Sequence, residues 1–332
     1  MTIFNALSRP SACRRRSDGA LEEWGAVTVK SLLHSSTTSF LLLLLLGCRR
    51  AENSPATETK IWAEFSGDRA FAHVQQLVDL GPRPPQSDAL EKTRVYIDHQ
   101  LRLAGWTVER QEFADETPRG LVRFVNLIAR FHAPGKVPTS FLLCSHYDTK
   151  IFETFRFVGA NDAGSSTGLL LEAARALGRY PDLAAKVQLV FFDGEEAFET
   201  FSETDGLYGS RHFAKQLERQ GAKQFRGGIL FDMVGDRDLT ITLPPDSPAQ
   251  MARDIFASAD ALKVRNHFTY FDAGITDDHT PLNQIGIPTI DLIDFDYPPW
   301  HTAQDTLDKI SPESLRIVGS VALYYLANHA LK

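Results

Sequence analysis

The sequence predicts a single α/β domain of three layers, a mostly parallel central sheet with helices on both faces. Three observations carry that expectation. Helical and strand-like periods alternate from about residue 61 to the C-terminus, Val187–Phe192 is a continuous apolar run of the kind found in strands buried on both faces, and no Pro- or Ser-rich linker follows residue 60. In chain order, Phe71, Val74, Leu77, Val78 and Leu80 recur at helical spacing until Gly81-Pro82 stops the helix. A second helix is expected over 88–104, ended by Gly105, and then strands over 106–113, 121–131 and 140–145. A Leu-, Ala- and Glu-rich helix over 168–177 leads into the strand at 187–192. A helix at 208–220, a strand at 228–234, a helix at 248–262, a short strand at 287–293 and a last helix at 312–331 complete the pattern, and no internal repeat is present.

Composition narrows the function. Of 332 residues, 43% are hydrophobic and 23% charged, and 22 Phe with 4 Trp supply ample apolar area for a core. With 35 Lys and Arg against 42 Asp and Glu, the net charge of −7 argues against a nucleic-acid partner held through phosphates. Three cysteines are too few for a disulfide framework, and Cys144 is expected to be a buried thiol.

Ligands of open α/β sheets bind outside the carboxyl ends of the strands, and there this sequence repeatedly places acids and histidines. His146 and Asp148 follow the strand at 140–145; Asp193, Glu195 and Glu196 follow 187–192; Asp232 follows 228–231; Asp294, Asp296 and His301 follow 287–293. Asp162 lies in the loop Gly159-Ala160-Asn161-Asp162-Ala163-Gly164. One such carboxylate would be read as a helix cap, but five loaded loops point to one site. His and carboxylate donors without cysteine suit catalytic Zn²⁺ at the carboxyl ends of the strands, and adjacent acids such as Glu195-Glu196 let one bind metal while the other moves protons.

Six motifs in order resemble the superfamily of zinc aminopeptidases and glutaminyl cyclases, over roughly residues 66–330. They are His146-Tyr147-Asp148, Gly159-Ala160-Asn161-Asp162, Asp193-Gly194-Glu195-Glu196-Ala197-Phe198, Leu207-Tyr208-Gly209-Ser210-Arg211-His212, Asp277-Asp278-His279 and Trp300-His301-Thr302. The resemblance implies Asp162, Glu196 and His301 as ligands of the main zinc, and His146 and Asp232 as ligands of a possible second metal bridged by Asp162. It implies Glu195 as the acid/base residue. Cyclase-like features are the form of the double-Glu motif, the stretch from Asp205 to His212, the leading Asp277, which implies a hydrogen-bond relay to Glu195, and Trp300 as a substrate wall. Phe201 stands where animal-type cyclases carry a second pocket Trp, and with Trp300 and Asp232 it completes the expected substrate contacts. The loop before Trp300 is one residue shorter than in cyclases. Asp291 stands where they have His, exchanging a switchable imidazole for an anion.

The expected activity is therefore zinc-dependent conversion of N-terminal Gln on peptides or proteins to pyroglutamate with release of ammonia, using one Zn²⁺. The alternative is a dinuclear aminopeptidase, with two Zn²⁺ and an attacking water. A non-catalytic binding domain on the same fold is disfavoured because every expected ligand and Glu195 are present.

Upstream, Phe40 and Leu41–Leu46 are far too short to span a bilayer, which needs ~20 apolar residues, but fit the apolar core of an export signal behind Lys30. Leu45-Leu46-Gly47-Cys48 resembles a bacterial lipobox, so the expectation is export to the cell envelope of a bacterium with a lipid at Cys48, the only membrane contact. Residues 1–47 read as a signal region whose first ~26 residues suit a start-site artefact. Residues 48–65 read as the lipidated Cys and a polar tether, and 66–332 as the catalytic domain. His73, His99, His132 and His267 read as surface residues.

Overall fold

A computed structural model describes residues 60–132 and 138–332; the expected signal region and Cys48, the residue expected to carry a lipid, lie outside the described residues. The main sheet has six strands in the order β1-β2-β4-β3-β5-β8. These are β1 (Trp106–Thr117), β2 (Gly120–Phe131), β3 (Phe141–His146), β4 (Val187–Phe192), β5 (Gly227–Asp232) and β8 (Thr289–Ile293). β4, β3, β5 and β8 run parallel, while the β1–β2 hairpin adds antiparallel to β4. Every residue of the four parallel strands is buried, which is why they read as unbroken apolar runs rather than alternating ones.

The two faces of the sheet separate by the two-residue period of a strand. Leu143, Leu189, Ile229 and Ile290 join a core formed with α1 (Gly67–Leu80), α2 (Asp88–Leu103), α3 (Gly164–Gly178), α6 (Ala249–Ala261) and α8 (Pro312–Tyr325). Leu142, Cys144, Val190 and Leu230 join a smaller core with α5 (Tyr208–Gln220) and α7 (His279–Gln284). Three layers result, with Cys144 a buried free thiol. The helices start and stop where local chemistry dictates: Ser66, Ser87 and Ser311 cap the N-termini of α1, α2 and α8 with their hydroxyls, and Gly81 ends α1 at φ 96°.

Several features fall outside the sequence expectation. The first two strands are longer than predicted and pair from Trp106↔Phe131 to Thr117↔Gly120. A three-residue parallel pair, β6 (Ile241–Leu243) with β7 (Phe268–Tyr270), and the short helices α4 (Pro181–Ala184) and α7 are too brief for any periodicity to reveal. The last helix passes into a π-helical turn at Leu326–Ala330. Residues 61–65, in the stretch read as tether, pack on the core through Ile61 and Phe65, at 0% and 5% exposure. Among the described residues no helix is long and apolar enough to cross a membrane.

From β3 the chain passes to β4 on one side and from there crosses back to β5 on the other side of β3. This switch point opens a crevice at the carboxyl ends of these strands.

Candidate active site

The predicted ligands meet in this crevice. His146 ends β3 and Asp232 ends β5, so the parallel ladder alone puts them side by side, with Nε2 of His146 3.2 Å from Oδ1 of Asp232. Asp162 arrives on the loop before α3 and faces both ways: its Oδ1 lies 3.3 Å from His146 Nε2 and its Oδ2 3.3 Å from His301 Nε2. Glu196, from the loop after β4, brings Oε1 to 3.3 Å from His301 Nε2. Two donor trios thus share one carboxylate, His146–Asp162–Asp232 and Asp162–Glu196–His301, each with its ligand atoms within 4.8 Å of one another. Ligands ~2.0–2.2 Å from Zn²⁺ in a tetrahedron are separated by roughly 3.3–3.6 Å, so the imidazole–carboxylate spacings fit such an ion.

Neighbouring groups hold these donors in place. Asp148, fully buried, accepts hydrogen bonds from the backbone N–H of Glu195 and Glu196 at 3.2 and 3.4 Å and lies 3.5 Å from Nδ1 of His146, leaving Nε2 free for metal. The backbone N–H of Lys150 donates to Glu196 Oε1 at 3.1 Å, and its ammonium donates to the carbonyl of Ala197 at 2.8 Å. Asp305 accepts the N–H groups of Asn161 and Asp162 at 2.8 and 3.1 Å and the hydroxyl of Tyr297 at 2.8 Å, pinning the bridging carboxylate's backbone. Gly159 makes that loop possible: it sits at φ 54°, and a Cβ there would lie 1.9 Å from the carbonyl oxygen of Asp162. His301 itself adopts φ 54°, a left-handed conformation that costs a non-glycine residue ~1–3 kcal/mol. Trp300 stacks on its ring at 4.2 Å, and Phe152 and Phe157 meet it edge-on.

A cavity of about 450 Å³ opens onto the donors. Glu195, Asp232 and Asp277 line it together with Trp300 and Phe201, two aromatics left 41% and 39% exposed at its walls. Every residue expected to contact substrate therefore borders one pocket. Trp300 does more than the sequence suggested, because it also buttresses the ligand His301.

Electrostatics follow from crowding acids in a dry crevice. Burial, and then the anions of Glu196, Asp277 and Asp278, push the Glu195 carboxyl well above the ordinary glutamate range, against the opposing pull of His146. Burial and Asp162 push Glu196 upward as well, while His301 and Lys150 oppose. For His301, burial favours the neutral ring, but hydrogen bonding and attraction to Asp162 and Glu196 outweigh it and raise the imidazole to about 10.

Other strand-end acids stay out of the site. Asp193 is buried against Arg94 at 2.6 Å and accepts the N–H of Val125 at 2.7 Å. Asp294 accepts the N–H groups of Thr240 and Asp296. His73 is half-buried rather than a surface residue, with Nδ1 2.6 Å from the Tyr96 hydroxyl. The positioning groups Lys150 and Asp305 were missed by the sequence reading, which named Asp148 only as a strand-end acid. Asp148 carries a signal in its two-residue spacing from His146, whereas Asp305 carries none.

Residues 126–326 match the family described as Peptidase family M28. The chain belongs to that family. A glutaminyl-peptide cyclotransferase-like protein of Bos taurus is 31% identical over 277 residues, covering 74% of this chain and 72% of the relative. Among solved structures, a glutaminyl cyclase from an Acidobacteriales bacterium superposes with a TM-score of 0.76 at 33% identity, covering 83% of this chain and 98% of that one. A Zn-dependent exopeptidase from Parabacteroides distasonis reaches a TM-score of 0.73 at 27% identity, covering 80% and 99%. This M28 member thus resembles both cyclases and a peptidase in fold.

Proposed function

We propose that the chain is a glutaminyl-peptide cyclotransferase, converting an N-terminal Gln of a peptide or protein to pyroglutamate and releasing ammonia. The observation that carries this reading is that Glu195 and Asp277 face the same aromatic-walled pocket as the Asp162–Glu196–His301 trio. The cyclase names among the relatives support it.

Asp162, Glu196 and His301 would hold the zinc, which when bound supplies a Lewis acid for the γ-carbonyl oxygen of the substrate glutamine. Trp300 and Phe201 wall the pocket and fold the glutaminyl side chain back toward its own amine, replacing a bimolecular encounter by ring closure. Glu195 accepts a proton as the α-amine nitrogen bonds to the γ-carbonyl carbon. It then returns the proton to the amide nitrogen as that carbon–nitrogen bond breaks, so the lactam forms and ammonia leaves. Burial, with the charges of Glu196, Asp277 and Asp278, holds the Glu195 carboxyl in the raised range that suits a group gaining and losing a proton in one turnover.

The decisive experiment incubates purified protein with a Gln-initiated peptide and follows its mass. Loss of one ammonia is expected; release of a free amino acid would instead establish the second reading, a dinuclear aminopeptidase. That reading is favoured by one specific feature, the intact His146–Asp162–Asp232 trio sharing Asp162. The number of ions per chain bears on the same choice.

The Leu41–Leu46 run before Gly47-Cys48 supports export and lipid attachment at Cys48, with the enzyme facing peptides outside the cytoplasm. Fatty-acid labelling of cells expressing the full chain should mark it, and Cys48→Ala should abolish the label; equal labelling of both would refute the anchor.

A further inference from the structure

Beside the pocket lies a third set of buried donors that neither Asp162-centred trio uses. Carboxylate oxygens of Asp277 and Asp291 and a ring nitrogen of His279 all lie within 4.8 Å of one another. Asp277 precedes α7, His279 is the first residue of α7, and Asp291 sits in β8 opposite Leu230. The three are 4%, 2% and 0% exposed. Both nitrogens of His279, both carboxylate oxygens of Asp291 and Oδ2 of Asp277 lack any hydrogen-bond partner, as do both carboxylate oxygens of the adjacent Asp278. Among the described residues, none of these acids is within ion-pairing distance of a Lys or Arg; the one charged-group contact is His279 Nδ1 to Asp291 Oδ2 at 3.5 Å.

Buried carboxylates persist in a dry interior when paired, hydrogen-bonded or coordinating a metal; here Asp277 Oδ1 accepts the N–H of Asp278 at 2.5 Å, and the remaining carboxylate oxygens of Asp277 and Asp291 have neither a hydrogen bond nor a Lys or Arg. The His279–Asp291 separation lies inside the roughly 3.3–3.6 Å edge of a tetrahedral Zn²⁺ shell, close to the 3.2 and 3.3 Å spacings of the two trios. One nitrogen with two carboxylates is also a donor set suited to a divalent first-row ion.

We propose that Asp277, His279 and Asp291 form a separate divalent-cation site that ties the pocket wall to the central sheet. The wall is the segment between β7 and α7, whose Gly274, Ile275, Thr276 and Asp277 line the cavity. Its own bonding is sparse: Phe271 donates to the carbonyl of Leu243 and Asp277 to the hydroxyl of Thr280, while among the described residues no backbone N–H of 272–276 donates to protein. An ion shared by Asp277, His279 and Asp291 anchors the end of that segment to β8. So held, Asp277 keeps its place on the pocket that Glu195 also lines. The site is independent of which reaction the pocket performs.

The test counts zinc in the full-length protein after saturation with zinc chloride and exhaustive dialysis, by mass spectrometry of the metal. Asp291→Asn and His279→Gln, each checked for native circular dichroism, are expected to carry one ion per chain fewer than wild type, with faster amide exchange over 271–277. Equal counts in wild type and a folded variant overturn the proposal and leave the cluster neutralised by protons. Should neither variant fold, His146→Ala, which removes a donor of the His146–Asp162–Asp232 trio, decides: two ions per chain support the site and one or none refutes it, since the Asp162–Glu196–His301 trio holds no more than one. Because metal is counted rather than turnover, a protein that fails to cyclise glutamine could still carry this ion, and the two readings fail separately.

Discussion

Glu195 shows how little of a catalytic group's character resides in the residue itself. A glutamate in water is ionised near neutral pH; this one is driven upward by burial and by the anions of Glu196, Asp277 and Asp278. A raised carboxyl used as the base makes turnover rise with pH until the group is fully ionised, and the acidic limb should move to lower pH in Asp277→Asn, where one anion is gone. A pH–rate profile unchanged by that substitution would contradict the coupling. Glu195→Gln removes the proton carrier while keeping shape, so kcat should fall roughly 10²–10⁴-fold with metal content unchanged. Full turnover in that variant would eliminate the mechanism for cyclase and peptidase alike. At His301 the shift is also upward but its consequence is opposite: the metal-free imidazole is raised to about 10 and so carries a positive charge at neutral pH, and the ion must displace that proton. Zinc binding should therefore release protons near pH 7 and weaken as pH falls, measurable by calorimetry in buffers of different ionisation enthalpy.

At the scale of elements, strands and loops divide the work of assembly. His146 and Asp232 need only the register of parallel β3 and β5, which is why their strand-end positions betrayed them in the sequence. Asp162, Glu196 and His301 come from loops whose shapes depend on distant partners: Asp305 for the Asp162 loop and Lys150 for Glu196. Such orienting partners typically contribute 10–100-fold to metal affinity, so Asp305→Ala should weaken zinc binding by about that factor while the sheet stays intact. Competition with a chelator would show it, and unchanged affinity would mean the loop needs no pin. Local periodicity located the long helices and the buried strands, but β6, β7 and α7 are too short to bear a period. Asp193 looked like its neighbours in the sequence and is instead neutralised by Arg94, ninety-nine positions away in the chain. No local pattern distinguishes a strand-end acid that meets a guanidinium from one that meets a metal.

At the scale of the molecule, the two ends of the described domain close on each other. Phe65 packs against α8 at Gly319, where an added Cβ would come within 2.3 Å of the ring. Gly319→Ala should cost about 1–3 kcal/mol by overpacking, seen in chemical denaturation, with the activity of the folded protein unaffected. A neutral substitution there would mean residues 61–65 do not contribute to the domain. The sequence by itself determined the class of fold, the alternation of buried strands and amphipathic helices, and the inventory of histidines and carboxylates at strand ends, because periodicity and position along a strand are local properties of the chain. Only the tertiary structure decided which of those acids lie close enough together to hold a metal, which are silenced by an arginine, and which stand unpaired behind the pocket. Charge, burial and distance between residues far apart in the chain exist only once the sheet has brought them together.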